Sequence, residues 1–204
     1  MISVTLGKMV SLCYNISIMK NYIVFDLEWN QSANGKERSI PHFPFEIIEI
    51  GAVKLNEAFQ MVDEFHRLIR PQVYTQMHHA ISEVTHMDMK ELRNSGELFP
   101  DAAADFLSWC GGDAVFCTWG NMDLLELQRN MDYYHMDNPF PKPLFYYDVQ
   151  KLYGLFCREN ARISLDSAVE EQSLLENRPF HRALDDAYYT GKLLTMLGHE
   201  PGPD

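Results

Sequence analysis

The sequence predicts an α/β fold with a mixed, five-stranded central sheet flanked by helices. Three β-prone segments follow one another with short connections between residues 21 and 69, as in an antiparallel meander. Beyond residue 80, helical segments separate the remaining strands, and the two patterns together describe a mixed sheet. A chain of 204 residues, 46% apolar and 23% charged, is long enough to bury a full core in one domain.

Residues 21 to 28, Asn-Tyr-Ile-Val-Phe-Asp-Leu-Glu, open as an apolar run and then admit two acids, the pattern of a buried strand with functional groups at its end. Polar residues 30–39 form a loop, and Glu46 to Leu55 reads as the second strand. A third runs from about Met61 to Ile69 and stops at Arg70-Pro71, because proline cannot donate to the ladder. Ser82 to Met89 and Phe99 to Cys110 are expected helices, and Asp113 to Thr118 is a fourth strand ahead of Trp119-Gly120. Leu124, Leu127, Met131 and Tyr134 recur at three- and four-residue spacing, so residues 122–134 form an amphipathic helix with Asp123 in its first turn. Leu144 to Asp148 reads as the last strand, Val149 to Glu159 as a helix and Leu165 to Glu170 as a short one. In a final helix from Arg182 to Leu197, the mostly small residues Ala183, Ala187, Gly191 and Leu194 share a face that can approach a sheet closely. The folded domain is expected over residues 21–198, with 199–204 a short tail. Residues 1–20 are an extension, either upstream of a natural start at Met19 or an ordinary arm.

A net charge of −12 excludes a broad basic surface that would grip long duplexes through many phosphates. Clustered carboxylates can still serve phosphate chemistry by holding divalent cations, which invert the local field. The four cysteines, Cys13, Cys110, Cys117 and Cys157, form no C-x-x-C pair; reduced, buried thiols and a cytoplasmic location are expected. The apolar run from Met9 to Ile18 is interrupted by Ser11, Asn15 and Ser17 and is too short to span a bilayer, so no membrane association is expected.

Asp26 and Glu28 are two apart on a strand and point to one face, where two carboxylates repel unless a cation lies between them. A lone Asp-x-Glu is ordinarily a solvated strand end, but the run Tyr-Ile-Val-Phe before it belongs to a buried central strand. Asp123 follows another buried strand, three residues beyond Gly120; standing alone it would be an acid complementing a helix N-terminus. His181 and Asp186 open the final helix. Were all six residues helical, the two would lie about 140° apart on the wheel. They share a site if His181 stays on the loop, which Pro179 favours, while Asp186 projects from the first turns.

Taken in order, these residues resemble the DEDDh exonucleases of the RNase H-like superfamily. Phe25-Asp26-Leu27-Glu28-Trp29 is similar to the family's first motif, Asp123 stands at its second, and His181-Arg-Ala-Leu-Asp-Asp186-Ala resembles His-x-Ala-x-x-Asp-Ala. Glu46-Ile-Ile-Glu-Ile-Gly-Ala-Val resembles its second strand, and Ile81 to Met87 its substrate-side turn, with Thr85-His86-Met87 where Thr-Gly-Ile is usual. The resemblance covers residues 22 to about 197 and is closest to the branch of KapD-like bacterial proteins and the nucleases of histone-messenger and small-RNA 3′ ends.

The resemblance implies a 3′–5′ exonuclease of RNase H-like fold that releases nucleoside 5′-monophosphates using two divalent ions, Mg²⁺ or Mn²⁺. Asp26 would bridge both ions, Glu28 and Asp186 would complete one shell, Asp123 would serve the other ion, and His181 would take the proton of the attacking water. Leu27, Trp29 and Trp119 would flank the terminal base or ribose, with core packing the competing role of Trp119. The expected partner is single-stranded nucleic acid, RNA favoured over DNA. Glu46 and Glu49 read either as supporting groups behind the acids or as sheet-edge residues, and Arg178, Arg182 and Lys142 as solvated charges rather than phosphate contacts. Rival readings are a silent binding module, a proofreading subunit beside a DNA polymerase, and an RNase H-like endonuclease, against which the His181 spacing argues.

Overall fold

Strand β1 (Asn21–Asn30) is the middle of five. It pairs antiparallel with β2 (Glu46–Leu55) on one side and parallel with β4 (Ala114–Thr118) on the other; β3 (Met61–Leu68) and β5 (Tyr146–Asp148) form the edges, in the order β3-β2-β1-β4-β5. This computed structural model describes residues 20–35, 39–140, 145–157 and 162–199. The extension up to Met19, and the tail beyond His199, lie outside the described residues.

Seven helices are described: α1 (His79–Thr85), α2 (Met89–Ser95), α3 (Phe99–Cys110), α4 (Met122–Tyr133), α5 (Val149–Phe156), α6 (Leu165–Glu171) and α7 (Ala183–His199). The mixed five-stranded sheet matches the expected class. One expected helix, Ser82 to Met89, is instead two. His86 takes a left-handed conformation (φ 57°) that ends α1, and the Asp88 side chain accepts the Glu91 N–H at 2.7 Å to cap α2. Asp88, an acid three residues before Glu91, is the local signal for α2.

Alternation along β1 sorts its residues between two layers. Ile23, Phe25 and Leu27 join the main core with Ala102 and Phe106 of α3 and Leu124 and Leu127 of α4. Val24 joins the opposite layer with Val53, Leu55, Val149 and Leu194 of α7. Asp26 and Glu28 continue the Val24 face by the period of two, so both acids emerge beneath the start of α7. The helix comes very close there. A Cβ on Gly51 would meet Leu184 N at 2.0 Å, so backbone packs on backbone there, and one on Gly191 would meet the Val53 side chain, Cγ2, at 2.9 Å.

The end of β1 is held by Asn30, whose amide nitrogen donates to the carbonyls of Tyr74 and Gln76, both at 2.9 Å, and whose oxygen accepts the His78 N–H at 2.9 Å. Buried Glu46 gathers the N–H groups of Gln72, Val73 and Tyr74 and the Tyr134 hydroxyl. It organises a loop and is not part of the acidic group. Cys110 and Cys117 are free and buried, with burial pushing the Cys110 thiol up to about 12. No helix among the described residues is long and apolar enough to cross a membrane.

Candidate active site

Three of the predicted acids converge. Asp26 and Glu28 from β1 and Asp186 from α7 each offer a carboxylate oxygen, and these atoms lie within 4.8 Å of one another. Asp123, in the first turn of α4, comes in at the end of β1, where its Oδ1 accepts the Leu27 N–H at 3.2 Å. It stands outside that tight trio yet acts on it, since its charge bears on both Asp26 and Glu28.

The electrostatics are those of buried carboxylates crowded together and only partly offset. Burial, then repulsion from Asp123, Asp186, Glu28 and Glu49, holds Asp26 well above the usual carboxylate range. Glu28 is pushed up to about 8 by burial and by Asp186 and Glu49, with Arg182 opposing. Burial lifts Asp123 to about 7 against the Leu27 hydrogen bond, and Asp186 to about 7 against its bond from the His181 N–H. Asp186 Oδ1 is buried with no hydrogen-bond partner, although its Oδ2 accepts from His181 at 3.1 Å. An orphaned carboxylate oxygen facing two more carboxylates fits an oxygen-ligated hard cation, and the all-carboxylate donor set suits Mg²⁺ or Mn²⁺.

His181 is exposed and precedes α7 with φ 64°, on the loop as the spacing required. The α7 start is held by a residue whose role the sequence left open. Glu49 of β2, fully buried, accepts Arg182 Nη2 at 2.7 Å, Arg182 Nε at 3.1 Å, the Ala183 N–H at 3.0 Å and His66 Nε2 at 2.7 Å. Arg182 is therefore not the solvated charge expected. The signal was missed because Glu49 faces Glu28 only through the β1–β2 register.

The remaining predicted residues divide. Leu27 is a correction: its side chain is 3% exposed in the main core, because alternation turns it away from Asp26 and Glu28, and only its backbone borders the site. Trp29, half-buried at the strand end, also packs against the main core, beside Phe45 with ring centroids 5.6 Å apart. Trp119 packs against Tyr153 at 6.0 Å within two apolar clusters, the core role weighed against substrate contact. Arg178 pairs with Asp185 and Glu64 and lies over the Tyr188 ring at 4.0 Å. Lys142 lies outside the described residues.

A mixed sheet that gathers four acids, three of them within reach of one cation, with a histidine beside the last, is equipped for metal-dependent hydrolysis. The family described as Exonuclease matches residues 23–194, and the chain belongs to it. Its class is thus that of an exonuclease, and it shares its fold with nucleases described as DEDDh family members. Among relatives, a probable 3′–5′ exonuclease, KapD of Bacillus subtilis, is 28% identical over 185 residues, 86% of this chain and 83% of the relative. A PolC-type DNA polymerase III of Thermotoga petrophila is 33% identical over 150 residues, 72% of this chain but only 10% of that polymerase. The crystal structure of the nuclease domain of 3′hExo, a DEDDh family member bound to rAMP, shares the fold with a TM-score of 0.71 at 22% identity, over 88% of this chain and 92% of that one.

Proposed function

We propose that this chain removes nucleotides one at a time from the 3′ end of single-stranded RNA, releasing nucleoside 5′-monophosphates. The observation that carries the reading is the convergence of Asp26, Glu28 and Asp186 within 4.8 Å around an unpartnered Asp186 oxygen. Asp26, Glu28, Asp123 and Asp186 would hold two divalent ions, Mg²⁺ or Mn²⁺. When bound, the ions supply Lewis acidity and offset the charge that grows on the phosphate. Exposed His181 accepts the proton of the water that attacks phosphorus; the P–O3′ bond breaks and the shortened strand keeps a 3′ hydroxyl. The Leu27 backbone borders the place of the terminal nucleotide, and Trp29, half-buried against the main core, leaves only its exposed part to reach it.

RNA is favoured because the 3′hExo nuclease domain is a structural neighbour bound to a ribonucleotide. A DNA-directed reading, proofreading beside a polymerase, draws on the PolC-type similarity. The free, buried cysteines support a cytoplasmic setting. The test incubates the protein and Asp26→Ala with 5′-labelled single-stranded RNA and DNA in EDTA, Mg²⁺ or Mn²⁺. A ladder from the 3′ end, faster on RNA and absent in the variant, is expected. Faster cutting of DNA reverses the substrate assignment. Intact substrate under every metal, with binding retained, sinks the catalytic reading in favour of a binding module.

A further inference from the structure

We infer that Glu49 and Arg182 form a positioning clamp that sets where Asp186 and His181 stand relative to Asp26 and Glu28, and so governs the rate without touching substrate. The inference rests on the exonuclease reading and adds to it two residues that neither bind an ion nor react.

Glu49 lies directly across from Glu28 in the antiparallel register, so its side chain emerges on the acidic face of the sheet. Without partners it would be a further buried charge pressing on Asp26, Glu28 and Asp186. Its two oxygens are instead filled by donors. The Arg182 fork supplies Nε and Nη2, the Ala183 N–H donates at 3.0 Å, and His66 Nε2 lies at 2.7 Å. Burial alone would raise its pKa; the bonds from His66, Arg182 and Ala183 outweigh it and hold Glu49 below its ordinary value.

The Ala183 amide is one of the first-turn donors that a helix leaves unsatisfied, and here a strand side chain from 134 residues away satisfies it. The start of α7 is thus gripped at the Arg182 guanidinium and the Ala183 amide, and pressed at the Leu184 backbone over Gly51. His181 and Asp186 flank this short stretch and are joined to each other at 3.1 Å, so they move with it. Removing Arg182 takes the guanidinium fork from Glu49 and leaves the Ala183 N–H as its only bond to α7. The grip then loosens at the joint between β2 and α7, which is the joint that places Asp186.

The test uses the full chain with Arg182→Met, which keeps the aliphatic stem and deletes the fork, and Arg182→Lys, which keeps the charge and loses the parallel bonds. Each is assayed on the labelled oligonucleotide well below its own melting temperature. For Arg182→Met, kcat is expected to fall about 10- to 100-fold with KM within about threefold, the mark of a displaced reactive group rather than lost substrate binding. Arg182→Lys falls between it and wild type. Amide hydrogen exchange on the ion-free protein is expected to quicken at least about tenfold across residues 183–186 while β1 and α3 keep wild-type protection. Wild-type kcat in folded variants, or unaltered exchange at the α7 start, overturns the clamp. If Arg182→Met does not fold, Arg182→Lys decides by the same readouts. A wild-type protein that cuts nothing counts against the exonuclease reading, and the exchange pattern still judges the clamp.

Discussion

A methyl group on Gly51 would fall 2.0 Å from the backbone nitrogen of Leu184, which puts β2 and the first turn of α7 in backbone contact. Gly51 stands opposite Asp26 in the sheet, so the contact also fixes how far Asp186 lies from the acids of β1. No side-chain rotation can relieve a Cβ there. Gly51→Ala is expected to cost roughly 3 kcal/mol or more in urea unfolding, and to abolish cutting even in the folded fraction. A variant within about 0.5 kcal/mol of wild type would mean that the helix can lift without consequence.

Neutralising one acid separates function from stability. Asp26→Asn and Asp186→Asn are expected to lower kcat at least about a hundredfold, because each removes an anionic group from the ion-binding set. Both should nevertheless melt higher than wild type in EDTA at pH 8, since each relieves repulsion in the ion-free cluster. An EDTA melting temperature below wild type for both would refute that relief. At acid pH, where the carboxyls are protonated, the gain should vanish.

The pH dependence of the ion-free protein follows from the same groups. Glu28 titrates at about 8 and Asp123 and Asp186 at about 7 in the fold, against about 4 for carboxyls in the unfolded chain. Between these limits the native state holds protons that the unfolded state has released. Their contribution is thus fully present below about pH 4 and is lost as pH rises through 7 to 8. Glu49, shifted downward, contributes in the opposite sense, but only below its ordinary range. Melting curves in EDTA should therefore show stability declining from pH 5 to about pH 8. Added Mn²⁺ should raise the melting temperature by an increment that grows with pH, because the ion takes the deprotonated form. A flat or rising EDTA profile would contradict the assignment.

His86 occupies the left-handed position that ends α1, with φ 57° and its side chain exposed. Glycine carries no Cβ penalty there, so His86→Gly is expected to stabilise the protein by about 0.5–1 kcal/mol, roughly 2 °C in melting temperature. A loss of stability would indicate that the His86 side chain holds the turn.

Much of this molecule is written locally. The run Tyr22 to Phe25 followed by Asp26 and Glu28, the amphipathic spacing after Asp123, and Pro179 ahead of His181 are each read within a few residues, because strand and helix periods act over that distance. The class of fold, its central strand and the residues of the acidic group were thus determined by the sequence itself.

Tertiary structure decided which groups meet. Glu49 faces Glu28 only through the pairing of two strands, Asp123 reaches Leu27 across 96 residues, and Arg182 turns to Glu49 because α7 lies against Gly51. Register is chosen by the burial of the whole sheet, and a buried carboxylate takes whatever donors that packing brings to it. No local propensity encodes those choices, so the ends of the site were visible in the chain while the clamp that sets their spacing was not.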